Sequence, residues 1–246
     1  MTGVLLIGGV DSSGGAGLTR DARTLARFAT EALCAVTAVT AQSDAEVTAV
    51  HHVPPDIVRA QIAAAFDTRR VAAIKLGMLG TRATVLAVAA GLAGRARLPL
   101  VLDPVRASTS GAELLDAAGQ AALRELLLPR ATVVTPNIPE AAALLGEALA
   151  CTEPQLLRQA QALLALGPEA VLLKGGHAAA AEATDLLLMR GRPVQRLCAP
   201  RIGTTRRGTG CALASAIAAG LAAGLELTAA CAAAKEYVTG YLRSGD

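Results

Sequence analysis

The sequence predicts an α/β fold on a mostly parallel central sheet, and three observations carry that prediction. Short apolar runs alternate along the chain with longer segments of helical period, and polar or glycine-rich stretches follow the runs. Hydrophobic side chains make up 53% of the 246 residues and charged ones only 17%. Parallel strands are buried on both faces and need a crossover helix between them, so apolar run, loop and helix in repetition is their signature. The length suits one large core, and residues 1–246 are read as a single domain.

The elements follow in order. Val4 to Ile7 is an apolar run of strand length, and Gly17 to Phe28 has helical period. Ala35 to Val39 and Pro54 to Phe66 repeat the pair, as do Val71 to Leu76 with Thr81 to Ala93 and Pro99 to Leu102 with Leu114 to Leu127. Ala131 to Val134 then leads into a helix over Pro139 to Leu145, with Asn137 suited to its N-cap, Glu140 to the capping box and Pro139 to the first turn. A helix over Gln155 to Leu166 and a strand over Ala170 to Leu173 come next. Beyond residue 176 the pattern changes to Ala183 to Met189 and Val194 to Cys198, an antiparallel pair at the sheet edge. Helices over Gly210 to Ala223 and Thr228 to Leu242 close the fold.

Composition excludes several function classes. The net charge is +3, and the aromatics are Phe28, Phe66, Tyr237 and Tyr241, too few for the stacking platforms of a nucleic-acid binder. Charged residues and prolines interrupt the apolar runs before they could span a bilayer, which predicts a soluble cytoplasmic protein. The five cysteines are scattered and never spaced Cys-x-x-Cys, which disfavours a disulfide framework or a zinc site. Lysine occurs only as Lys75, Lys174 and Lys235 in an arginine-rich chain, so a lysine at a strand end draws notice.

In open α/β sheets, ligands bind beyond the carboxyl ends of the strands, so the loops after strands carry the chemistry. Arg207-Gly208-Thr209-Gly210-Cys211 enters a helix: its glycines let backbone N–H groups crowd an anion, and the helix dipole adds positive charge. Cys211 in that first turn is expected to have a lowered thiol pKa. The loop Gly8 to Gly17 has neither the P-loop ending nor dinucleotide spacing, but its length and polarity favour substrate contact. Gly77 and Met78 follow Lys75. Asp103 stands beyond a buried strand, where it could bind magnesium or cap a loop. Asn137 and Glu140 suit a hydrated magnesium phosphate as well as a helix cap. Lys174-Gly175-Gly176-His177 offers a cation and open amides to a phosphate, with His177 read as a loop hydrogen-bonder. Phosphoryl transfer is the chemistry that this set favours.

Taken in order, Gly-x-Asp-Ser-Ser-Gly-Gly-Ala-Gly, Lys-Leu-Gly-Met-Leu, Leu-Asp-Pro-Val, Thr-Pro-Asn-Ile-Pro-Glu-Ala, Lys-Gly-Gly-His and Gly-Thr-Gly-Cys resemble the hydroxymethylpyrimidine/phosphomethylpyrimidine kinases of the ribokinase-like family. The resemblance runs from Val4 to about Leu242. It implies a three-layer α/β/α sandwich, usually a homodimer, that uses ATP and magnesium to phosphorylate 4-amino-5-hydroxymethyl-2-methylpyrimidine and then its monophosphate. It implies that Gln42, Gly9, Asp11, Met78 and Val105 surround the pyrimidine. Asn137, Lys174 and Thr209 fall on the nucleotide side and Glu140 and Asp103 on the metal side. Gly208, Thr209 and Gly210 form the anion hole, and Cys211 is the base.

Three departures from the family pattern stand out. Thr109, in Val105-Arg106-Ala107-Ser108-Thr109-Ser110-Gly111, replaces a customary lysine; Arg207 stands before Gly208 where the family has histidine; and Ser12 replaces proline. Arg106 and Arg207 are the cations available to replace the lost charge. Of the two phosphorylations, the one acting on the monophosphate is expected to be weakened. The competing readings are a pyridoxal or pyridoxine kinase, which Gln42 disfavours, and a noncatalytic pyrimidine-binding relative. Cys211, Lys174 and Glu140 together argue against the latter.

Overall fold

The structure, a computed structural model, describes residues 2–68, 70–108, 111–175 and 182–244. Thr109, Gly176 and His177 lie outside the described residues. The strands are β1 (Thr2–Asp11), β2 (Glu31–Gln42), β3 (Val47–His52), β4 (Arg70–Leu76), β5 (Leu100–Leu102), β6 (Val133–Val134), β7 (Ala170–Leu173), β8 (Glu182–Met189) and β9 (Gln195–Pro200). The helices are α1 (Gly17–Arg27), α2 (Pro55–Thr68), α3 (Arg82–Gly91), α4 (Ala117–Ala122), α5 (Ile138–Leu145), α6 (Glu153–Ala165), α7 (Thr209–Ala222) and α8 (Leu227–Ser244). The described strands form one sheet in the order β3-β2-β1-β4-β5-β6-β7-β8-β9. From β2 to β7 every pairing is parallel, while β3, β8 and β9 pair antiparallel at the two edges.

The alternation of side chains along β1 divides the core between the two faces of the sheet. Val4 and Leu6 pack with Leu18 and Leu25 of α1, Ile217 of α7 and Ala230 of α8, whereas Leu5 and Ile7 pack with Ile62 of α2, Val88 of α3 and Leu163 of α6. Helices therefore cover both faces, in three layers. At roughly 25 cal/mol per Å² of apolar surface, each wholly buried leucine or isoleucine of β1 contributes about 1.5–3 kcal/mol before its entropy cost. Register sets the position of the site. Ile7 pairs with Leu76, Leu76 with Leu102, Leu102 with Val134 and Val134 with Val171, so β4, β5 and β6 stop along one line while β1 and β7 run on past it, and the following loops share one edge.

The elements depart from expectation in three places, the first being that β1 runs on to Asp11, so that Gly8 to Asp11 of the expected loop are strand. Strand β3 is absent from the sequence reading. It forms a hairpin with β2 through a turn in which Ser43 N donates to Glu46 O at 2.9 Å. Its residues are half-buried or exposed, so no buried apolar run announces it. The helix expected over Leu114 to Leu127 begins later, because Asp116 accepts from Gly119 N as its N-cap and Leu115 bridges to Gly80. It then widens into a π turn over Leu123–Leu127 and a 3-10 turn over Leu128–Arg130, where Pro129 ends it.

Candidate active site

A cleft of about 730 Å³ opens along the shared strand edge. Its lining includes each candidate residue singled out from the sequence: Gly9, Asp11, Gln42, Met78, Asp103, Val105, Asn137, Glu140, Lys174, Gly208, Thr209, Gly210 and Cys211. Lys75 and Lys235 also line it, so all the lysines of the chain face one cavity.

The start of α7 has a backbone geometry that suits an anion. Gly208 is the N-cap at φ 72°, a left-handed conformation that favours glycine, and a Cβ there would run into the Gly15 carbonyl. The N–H groups of the first helical turn lack intrahelical partners, and their residues line the cleft. A Cβ on Gly210 would lie 3.2 Å from Lys174 Nζ and 3.6 Å from Asp103 Oδ2, which places the hole against the charged group beside it.

That group comes from three loops. Lys174 Nζ lies 3.2 Å from Asp103 Oδ1 and 3.7 Å from Glu140 Oε2, and Thr135 Oγ1 donates to Asp103 Oδ1 at 3.3 Å. The loops are tied together by Lys174 N donating to Pro136 O at 2.8 Å. Asn137 and Glu140 do form a capping box, with Asn137 N donating to Glu140 Oε2 at 2.7 Å and Glu140 N to Asn137 Oδ1 at 2.8 Å. The cap fixes the carboxyl at the cleft. Burial opposes the charge on Lys174, but Asp103 and Glu140 outweigh it and hold the ammonium above its ordinary pKa. Burial also raises the Glu140 carboxyl; Lys174 pulls it down and Asp103 pushes it up again.

Among the described residues no group of three His, Cys, Asp or Glu could cage a metal ion. Two carboxylates that repel each other beside a phosphate site nevertheless suit magnesium, which takes few protein oxygens and keeps its waters. A cation facing Asp103 and Glu140 would relieve that repulsion, so the donor set fits the ion.

Cys211 corrects one expectation. Its half-buried thiol is pushed up to about 11 by burial, against the opposite pull of Lys75, so the helix start does not lower it. Removing a thiolate from water outweighs the dipole here, whose effect is confined to the terminal turn. Behind it lies an ion pair that the sequence reading missed. Lys75 Nζ of β4 bonds Asp21 Oδ2 of α1 at 2.8 Å with both side chains 1% exposed, and Ser215 Oγ donates to Asp21 Oδ1 at 2.8 Å. Ser215 follows Cys211 by one turn on the same face of α7. Burial opposes the Lys75 charge, but Asp21, Cys211 and Asp103 hold the ammonium above its ordinary value. Only the lysine bias hinted at this pair. Lys235 likewise reaches Asp185 at 2.8 Å, and Asp185 accepts from Gly175 N at 3.0 Å.

At the other side of the cleft, Met78 is 8% exposed and closes against Gly9, where a Cβ would come within 2.8 Å of its sulfur. Thr40 Oγ1 shares its one proton between Gln42 Oε1 at 3.1 Å and Val10 O at 3.2 Å, leaving the Gln42 amide N–H pair for a ligand. Asp11 uses both oxygens locally: Oδ1 accepts from Ser13 N and Oγ, and Oδ2 from Ala16 N and Arg207. Arg207 is thus paired with the buried Asp11 on one side and the exposed Asp44 on the other. Arg106 is exposed at the cleft.

A helix-start anion hole facing lysine and paired carboxylates across a parallel strand edge defines a phosphotransferase of small molecules. The phosphomethylpyrimidine kinase family model matches residues 11–245. The chain belongs to that family of kinases. It is 46% identical to the hydroxymethylpyrimidine/phosphomethylpyrimidine kinase of Rhizobium meliloti over 100% of this chain and 92% of that protein. Among solved structures, the phosphomethylpyrimidine kinase of Clostridium difficile is 35% identical with a TM-score of 0.86, covering 98% of this chain and 100% of that one. The ADP complex of Bacillus subtilis pyridoxal kinase is 33% identical with a TM-score of 0.91, covering 99% and 92%. These ribokinase-like neighbours agree with the α/β/α architecture expected from the sequence.

Proposed function

We propose that the chain transfers the γ-phosphoryl group of ATP to the hydroxymethyl group of 4-amino-5-hydroxymethyl-2-methylpyrimidine and, in a second reaction, to the resulting monophosphate. The observation that carries this reading is the placement of Cys211 at the anion hole, coupled electrostatically to both Lys75 and Lys174, in a cleft that Gln42 and Met78 also line.

Gln42 holds the aminopyrimidine edge, and Gly9, Met78 and Val105 wall the ring, with Asp11 setting the loop around it. The alcohol points at Cys211. Amides of Gly208, Thr209 and Gly210 receive the charge of the transferring group, and Lys174 neutralises the phosphates beside Asn137. Asp103 and Glu140 would hold hydrated magnesium, which spreads the phosphate charge when bound. Ile202, Val238 and Leu242 line the cleft as an apolar wall suited to the nucleotide base. The thiol is neutral in the resting site, so Cys211 serves as base only from its minority thiolate form, which Lys75 steadies; the alcohol proton passes to that sulfur as the alcohol oxygen bonds the phosphoryl group and ADP departs. A loose transition state asks little of a base, so positioning and charge do most of the work. A homodimer in the cytoplasm completes the reading.

Pyridoxal phosphorylation is the second reading, supported by the likeness to the Bacillus subtilis pyridoxal kinase. Product analysis by phosphorus NMR tests the first. ATP and the pyrimidine alcohol should yield ADP with a phosphomonoester and then a diphosphate, and Lys174→Met should slow the reaction roughly 100-fold or more. ADP with no pyrimidine ester would contradict it.

A further inference from the structure

Arg207 binds three separate segments of the chain. Its Nη2 donates to Asp11 Oδ2 at 2.7 Å, and its Nη1 is shared among Ser13 Oγ at 2.8 Å, Ser43 O at 2.9 Å and Asp44 Oδ1 at 3.0 Å. The guanidinium is 14% exposed and the Asp11 carboxylate 4%, whereas Asp44 is 92% exposed. From the rear, Tyr241 Oη donates to Arg207 O at 3.1 Å. Its neighbour in sequence is Gly208, the cap of the anion hole. Ser43, which it holds, is the neighbour of Gln42. A second tie lies alongside, where Gln42 N donates to Ser12 Oγ at 2.8 Å and Ser12 Oγ donates to Gln42 O at 3.0 Å.

We propose that Arg207 is a positioning residue for the acceptor: one planar group that staples the β2–β3 turn and the glycine-rich loop to the start of α7. It thereby fixes the distance between the ring-holding amide of Gln42 and the phosphoryl hole. Positioning is the dominant need of phosphoryl transfer, and small displacements of the acceptor are costly. A guanidinium presents several donors in one fixed plane, which a single ammonium cannot do. The staple rests on the proposed function, in that the pyrimidine is the ligand on the Gln42 side.

The test is steady-state kinetics of wild type, Arg207→Lys and Asp44→Ala, varying the pyrimidine alcohol and ATP in turn, with circular dichroism as a fold control. Arg207→Lys should raise KM for the alcohol about tenfold or more while KM for ATP stays within about twofold. Asp44→Ala removes an exposed acceptor and should leave both within about twofold. Unchanged KM for the alcohol, or an equal rise for ATP, would overturn the staple. If Arg207→Lys does not fold, Arg207→Gln, which keeps a planar donor group at the same position, is read by the same criteria. If wild type does not phosphorylate the pyrimidine, the proposed function fails separately. Hydrogen exchange of residues 41–46 then decides the staple: faster exchange in Arg207→Lys supports it and unchanged exchange overturns it.

Discussion

Cys211 shows how burial can defeat a local field. With a pKa near 11, only about one thiol in a thousand is ionised at pH 8. Alkylation should therefore climb with pH through about 11 in a variant whose exposed cysteines, Cys34, Cys151 and Cys198, are replaced by serine. A midpoint below 8 would contradict the account. The sign for stability follows. The folded pKa lies above the ordinary 9.0, so the contribution is complete below pH 9 and is lost as pH rises toward 11, a loss that Cys211→Ala should not show. The same variant should lower kcat roughly 100-fold, the lower end of general-base effects. Lys75 is the structural counterpart. Lys75→Met leaves the buried Asp21 with Ser215 but without its ion partner, and urea unfolding should register a loss of about 3–5 kcal/mol. Adding Asp21→Asn should recover part of it. A loss under 1 kcal/mol for the single variant would show that the pair is dispensable.

At the scale of elements, the start of α7 was legible because Gly-Thr-Gly before a helix has a direct backbone meaning. Gly208→Ala tests that meaning. The left-handed φ costs an alanine about 1–2 kcal/mol, and its Cβ meets the Gly15 carbonyl, so the hole must deform. The expected outcome is a fall in kcat of about 100-fold with smaller changes in KM, read in an ADP-release assay. Strand β3 was not legible, because an edge strand with one partner and exposed side chains has no apolar run. The break at Asp116 was hidden for another reason: Asp-Ala-Ala-Gly continues a helical pattern, and only the bridge between Leu115 and Gly80 reveals the later start.

At the scale of the molecule, the parallel core and its edge of loops were readable because each β-α unit repeats a local pattern. The contacts between loops were not. Asp21 and Lys75 are 54 residues apart, and Asp11 and Arg207 are 196 apart, and neither pairing has a local signature. The second pairing changes what the departures in the sequence imply. Arg207 is held by Asp11 and by the β2–β3 turn, so we expect it not to stand in for the lysine of the family pattern. The monophosphate, which already carries charge, should suffer more than the alcohol. Light scattering should find twice the chain mass for the proposed dimer; a single chain mass would remove it. The most direct measurement is kcat/KM for the pyrimidine alcohol, its monophosphate and pyridoxal, taken side by side with ATP and magnesium. The account predicts the alcohol highest, the monophosphate lower and pyridoxal last, whereas pyridoxal exceeding the alcohol would contradict it.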